Sequence, residues 1–95
     1  MPFALVATAR FLSQAERLPQ DVLAQLQKQV RFLEQNPRHP SLHTHVVKNA
    51  VGSYGGKVFE AYVSKPYRLT WEHGPNQSEI VLRNVDNHDD CLKQP

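Results

Sequence analysis

Three runs decide the fold: Val58-Phe59-Glu60-Ala61-Tyr62-Val63-Ser64, Tyr67-Arg68-Leu69-Thr70-Trp71-Glu72-His73 and Glu79-Ile80-Val81-Leu82-Arg83-Asn84-Val85. Each is rich in β-branched and aromatic residues with a period of two, which is the pattern of a strand. Lys65-Pro66 and Gly74-Pro75-Asn76-Gln77 are short turn-forming connectors, so the three runs are expected to form an antiparallel meander. Successive side chains of a strand point to opposite faces. Phe59, Ala61 and Val63 therefore join Tyr67, Leu69 and Trp71 on an apolar face, which helices should cover. The other face collects Glu60, Tyr62, Arg68 and Thr70. The third run reads two ways, Ile80/Leu82 against Val81/Arg83/Val85, and Arg83 is assigned to the polar face.

Upstream, Phe3 to Ala7 is a short apolar run of strand character, expected to be buried. From Thr8 the period changes: Phe11, Leu12, Ala15 and Leu18 recur at three-to-four spacing, so a short amphipathic helix should end at Pro19. Asp21 can cap or charge the start of a second helix striped by Val22, Leu23, Leu26, Val30 and Leu33. Asn36-Pro37-Arg38-His39-Pro40 stops that helix, because each proline disfavours helix in the residue before it. Ser41 to Val51 reads as either extended chain or loop, and Gly52 to Gly56 as a turn. A strand, a helical hairpin and a three-strand meander make an α+β domain spanning residues 1–95, with helices packed on one sheet face.

At 95 residues, 40% hydrophobic and 21% charged, the chain has room for one core and excludes a multi-domain enzyme. The formal charge of +2 is mildly basic and compatible with a phosphate-bearing ligand. One cysteine, Cys91, excludes an internal disulfide, a CxxC redox pair and a cysteine-built zinc site, and suits a reducing compartment. No window approaches the roughly 20 apolar residues of a membrane span. The apolar start is too short for a secretion signal, so a cytoplasmic location is expected.

Polar residues on the outer face of an antiparallel sheet are most simply solvated. Arg68 is the exception, because mid-strand between Tyr67 and Leu69 it needs an anionic partner, and Glu60 is the cross-strand candidate. Asp86-Asn87-His88-Asp89-Asp90 reads either as a solvated acidic loop or as the setting of a functional His88. A metal reading of that run, or of His39, His43 and His45, lacks the further ligands such sites need.

The helical segments Phe11 to Leu18 and Asp21 to Leu33, then Asn36-Pro37, Pro40-Ser41-Leu42, the Glu60-containing strand, Tyr67-Arg68-Leu69-Thr70-Trp71 and Ile80 to Val85 leading to His88-Asp89, carry a combined order and spacing. In this the chain resembles the RelE/ParE superfamily of small toxins from bacterial toxin-antitoxin pairs, and looks closest to the RelE-like mRNA endonucleases. The resemblance implies a cofactor-free and metal-free endoribonuclease that cuts mRNA on the ribosome, with the ribose 2′-OH as nucleophile. It also implies a cognate antitoxin as partner in a hetero-oligomer, and no membrane.

Arg68 matches the arginine that would hold the scissile phosphate. His88 matches the position of a general acid, and Asp89 beside it would orient the ring. Glu60 or Tyr62 is the choice for general base or its orienter. Lys48, Lys57, Tyr62, Arg83 and His45 are the further RNA-binding candidates. Two departures stand out. Phe59 and Ala61 occupy the places where some relatives present lysines, and the chain ends at Pro95, seven residues after His88, so the C-terminal helix or tyrosine of some relatives is expected to be missing. The alternatives are a ParE-like inhibitor of DNA gyrase and an inert relative that only binds its antitoxin.

Overall fold

Thr8 starts the first helix as its sequence suggests: it is extended, and its hydroxyl accepts the N–H of Phe11 at 3.1 Å, satisfying one of the donors a helix start leaves free. The computed structural model describes residues 2–93 and 95. Its elements are β1 (Ala4–Ala7), α1 (Ala9–Glu16), α2 (Gln20–Gln35), a 3-10 turn (Pro40–Leu42), β2 (His45–Val51), β3 (Lys57–Tyr62), β4 (Tyr67–His73), β5 (Glu79–Asn87) and α3 (His88–Lys93). The strands form one sheet in the order β1-β5-β4-β3-β2, with β1 parallel to β5 and the other neighbours antiparallel.

The expected α+β architecture is present, and the Ser41 to Val51 stretch contributes an additional antiparallel strand, β2. Its interruptions hide it in the sequence. His43 and Asn49 adopt left-handed backbone at φ 47° and 63°, and the pairing of β2 with β3 shifts register between Val46 and Val51.

The apolar face carries the helices as expected: Ala61, Val63, Leu69 and Trp71 are buried in one cluster with Phe11, Val22, Leu26 and Leu33. In β5 a bulge between Thr70 and Trp71 on the facing strand resolves the ambiguity. Leu82 pairs Trp71 and Val85 pairs Leu69, so Ile80, Leu82 and Val85 all lie on the core side although they break strict alternation. The Val85 N–H is satisfied by Gln14 Oε1 of α1 at 2.9 Å, which locks that helix to the strand.

Several sequence expectations are corrected. β1 is half-exposed at the sheet edge, with Val6 51% exposed, because only one of its faces meets the helices. Leu12 points to solvent. Asp21 sits in the first turn of α2 without capping it; Pro19 occupies the cap position. The largest correction is at the C-terminal end. A helix is present, α3, and it packs on β4 and β5. Asn87 starts it by reciprocal capping, accepting the Asp90 N–H at 3.0 Å while its amide donates to the Asp90 carboxylate at 2.7 Å. Cys91 of α3 is fully buried, and Pro95 accepts hydrogen bonds from Thr70 and Arg83 at 2.8 and 2.9 Å. The supposedly open polar face is thus covered over much of its area, and Val58, Glu60, Thr70 and Glu72 are all buried.

Candidate active site

The cross-strand register places Tyr62 opposite Arg68 and Glu60 opposite Thr70, so Glu60, Tyr62 and Arg68 share the face that alternation assigns them. The Arg68 guanidinium lies 4.6 Å from the centre of the Tyr62 ring, and its Nε is 3.8 Å from Glu60 Oε1. Its Nη1 donates to the carbonyls of Ser64, Lys65 and Tyr67, which belong to the connection between β3 and β4. Of its donors, Nη2 has no protein partner among the described residues, and the side chain is 19% exposed. Arg68 is therefore both a clamp on its own turn and a cation with one free edge.

Glu60 is 1% exposed, and its Oε1 also lies 3.0 Å from His45 Nε2 at the start of β2. The imidazole itself is 60% exposed, and its Nδ1 faces the His43 carbonyl oxygen at 2.9 Å. Both ring nitrogens thus face oxygen atoms, and the buried Glu60 carboxylate lies between His45 and Arg68. Burial encloses this carboxylate between its two neighbours.

His88 opens α3 directly beside the same turn, its backbone N–H donating to the Pro66 carbonyl at 2.8 Å. Its ring is half-exposed, with Nδ1 3.5 Å from Asp89 Oδ1, so Nε2 is left for exchange with a ligand. Behind this region Cys91 packs with Sγ 3.5 Å from the Arg68 carbonyl oxygen; burial, and secondarily the Glu60 charge, push its thiol up to about 12.

The remaining candidates lie elsewhere. Arg83 is on the polar face, but its guanidinium is engaged with Glu72, Ser53 and Pro95. Together with Lys48, Arg10 and Lys93 it lines a separate groove. Lys57, at the start of β3, lines a third depression beside Phe59 and His73. Gln29 is a supporting residue that the strand pattern does not point to. It is buried on the apolar stripe of α2 and donates to the carbonyls of Ser41 and Tyr62 at 3.0 and 2.7 Å, fixing the end of β3 next to Arg68. The available signal was a polar residue at stripe spacing between Leu26 and Leu33. Among the described residues, no group of three or more His, Cys, Asp or Glu side chains is placed to hold a metal ion. Among the described residues no helix is long and apolar enough to cross a membrane.

No family model matches the sequence, and no curated protein matches it. Solved structures do. The toxin-antitoxin structure of archaeal RelE-RelB from Pyrococcus horikoshii aligns with a TM-score of 0.72 at 12% identity, over 92% of this chain and 96% of that one. A YoeB/ParE toxin from Agrobacterium tumefaciens aligns at 0.69 and 10% identity, over 90% and 98%. The RelBE2 complex of Mycobacterium tuberculosis aligns at 0.60 and 22% identity, over 93% and 100%. The chain has the RelE-like fold that these structures share.

Proposed function

We propose that this chain is the toxin of a toxin-antitoxin pair and that it cuts RNA at the Arg68 face, with mRNA on the ribosome as the substrate. The observation that carries the reading is that Arg68 and His88 are both tied to the β3–β4 connection: the Arg68 guanidinium donates to the carbonyls of Ser64 and Lys65, and the His88 backbone N–H donates to that of Pro66. In this reading the free edge of the guanidinium grips the phosphate and the half-exposed His88 imidazole serves the same phosphodiester. Several fold neighbours are toxins solved with their RelB antitoxins, which supports an antitoxin partner here.

In the proposed reaction the ribose 2′ oxygen forms a bond to phosphorus while the bond to the 5′ oxygen breaks, leaving a 2′,3′-cyclic phosphate and a 5′-hydroxyl end. Arg68, with His45 beside it, faces the charge on the non-bridging oxygens. His88 passes a proton to the departing 5′ oxygen, with Asp89 against its other nitrogen. Glu60 holds His45 and Arg68 in register. The 2′ proton leaves to solvent water, and Tyr62, beneath the guanidinium, orients the 2′ hydroxyl.

The test is induced expression of wild type, Arg68→Lys and His88→Ala, with primer extension on a reporter mRNA. Translation-dependent cuts that vanish in both variants are expected. Growth arrest without cuts would sink the nuclease and point to a gyrase-type target. Cuts that survive both substitutions would leave the fold in place and remove this site.

A further inference from the structure

On the opposite side of the sheet from Glu60 and Arg68, beyond the C-terminal end of α2, lies a groove of about 800 Å³. Its floor is aromatic. Phe59 and Trp71 are cross-strand partners stacked at 4.5 Å with planes 22° apart, and His73 stands edge-on to Trp71 at 5.2 Å. One wall carries His39, itself stacked on Phe32 at 4.0 Å, and Arg38; Lys57 stands across from them on β3. No carboxylate is among the groove's lining residues.

Two further facts indicate a ligand. Trp71 is 2% exposed, yet its indole Nε1 has no hydrogen-bond partner among the described residues, and neither has the buried Nδ1 of His73. Buried polar atoms in native cores are nearly always paired, so a pair of orphans in one ring cluster at a groove is unusual. Phe59, in contrast, is only partly buried and shows ring surface to the groove.

An aromatic platform, orphaned nitrogens and cations without carboxylates match the chemistry of a nucleotide: a flat ring with polar edges, joined to phosphates. We propose that this groove binds an unpaired base of single-stranded RNA, stacked on Phe59 with Trp71 behind it, and that Arg38 and Lys57 meet the flanking phosphates. A peptide would need no stacking plane, and an acidic one would leave the ring edges unused. The proposal goes beyond the cleavage reading; His45 borders both places, whereas Phe59, Trp71, Arg38 and Lys57 belong to the groove and not to the cleavage step, so a failure of cleavage does not decide it.

Trp71 is the only tryptophan of the chain and reports directly on the groove. Short oligoadenylate is titrated into the full chain while Trp71 emission and its indole N–H resonance are followed, with ribose 5-phosphate and oligoglutamate as controls. Saturable quenching and a moving indole resonance are expected with oligoadenylate alone. Phe59→Leu, which keeps apolar volume and removes the ring, should weaken binding about tenfold or more. Lys57→Glu, at an exposed position that does not disturb the core, should also weaken binding and flatten its salt dependence, covering the case in which Phe59→Leu folds poorly. Arg17→Ala, at an exposed position outside the groove, should leave the titration within about twofold. Absence of quenching, an equal response to oligoglutamate, loss of the signal in Arg17→Ala, or unchanged affinity in Phe59→Leu and Lys57→Glu together would each overturn the assignment.

Discussion

His45 Nε2 and Glu60 Oε1 lie 3.0 Å apart across the edge pair β2/β3, one side chain mostly in solvent and the other almost wholly enclosed. The asymmetry sets what each substitution does. Removing His45 gives up a mostly exposed contact that water screens, worth less than about 1 kcal/mol. Removing Arg68 strips the buried carboxylate of its arginine partner and frees the carbonyls of Ser64, Lys65 and Tyr67. Arg68→Ala is therefore expected to lose about 2–4 kcal/mol. Urea unfolding of His45→Ala and Arg68→Ala should show the two clearly separated; equal losses would mean that Arg68 does not hold the turn. For this reason Arg68→Lys, not Arg68→Ala, is the variant for reading activity.

Gly52 begins the turn between β2 and β3, and a Cβ there would overlap Glu72 Oε1 and come within 2.8 Å of Glu72 Cδ. The Glu72 carboxylate cannot retreat cheaply, since it accepts the N–H groups of Ser53 and Tyr54 and pairs with Arg83. Gly52→Ala is expected to cost about 1–3 kcal/mol by overpacking. A thermal melt unchanged from wild type would show that the turn adapts.

Gln29→Leu keeps the volume of the buried side chain but leaves the carbonyls of Ser41 and Tyr62 without their donor. A loss of about 1–3 kcal/mol is expected from the stranded acceptors. Because Tyr62 adjoins Arg68, cleavage should fall as well, beyond what the lost stability explains. Stability within error of wild type would remove Gln29 as a support of the site.

Cys91 provides a pH prediction. Its thiol is raised from 9.0 to about 12, so the folded chain holds this proton more tightly than the unfolded chain. The stabilisation is complete below pH 9.0 and is lost as pH rises toward about 12. Chemical denaturation at stepped alkaline pH should show this loss in wild type and a smaller one in Cys91→Ala. Alkylation near pH 8 should proceed only as fast as the chain unfolds; rapid labelling of the native protein would contradict the burial.

The meander was legible from residues 58–85 because period-two patterning depends only on which side of a strand meets the core. The same local rule placed Arg68 and Glu60 on one face, though the register sets them diagonally and not opposite each other, and the prolines marked the breaks on either side of α2. Elements that depend on distant partners were not readable. β2 is broken by Asn49 at positive φ and by the shift in its register with β3. The bulge at Arg83 moves Val85 to the core side because Gln14, from a helix 71 positions away in sequence, supplies the acceptor for its N–H. α3 is too short to announce itself, since a single turn and a half of helix is stabilised by packing rather than by propensity. Its docking turned a face of apparently solvated polar residues into a mostly covered one, leaving Arg68, His45 and His88 around the rim. Periodicity assigns a side to each residue; how much water reaches that side is decided by whichever segment of the chain folds over it.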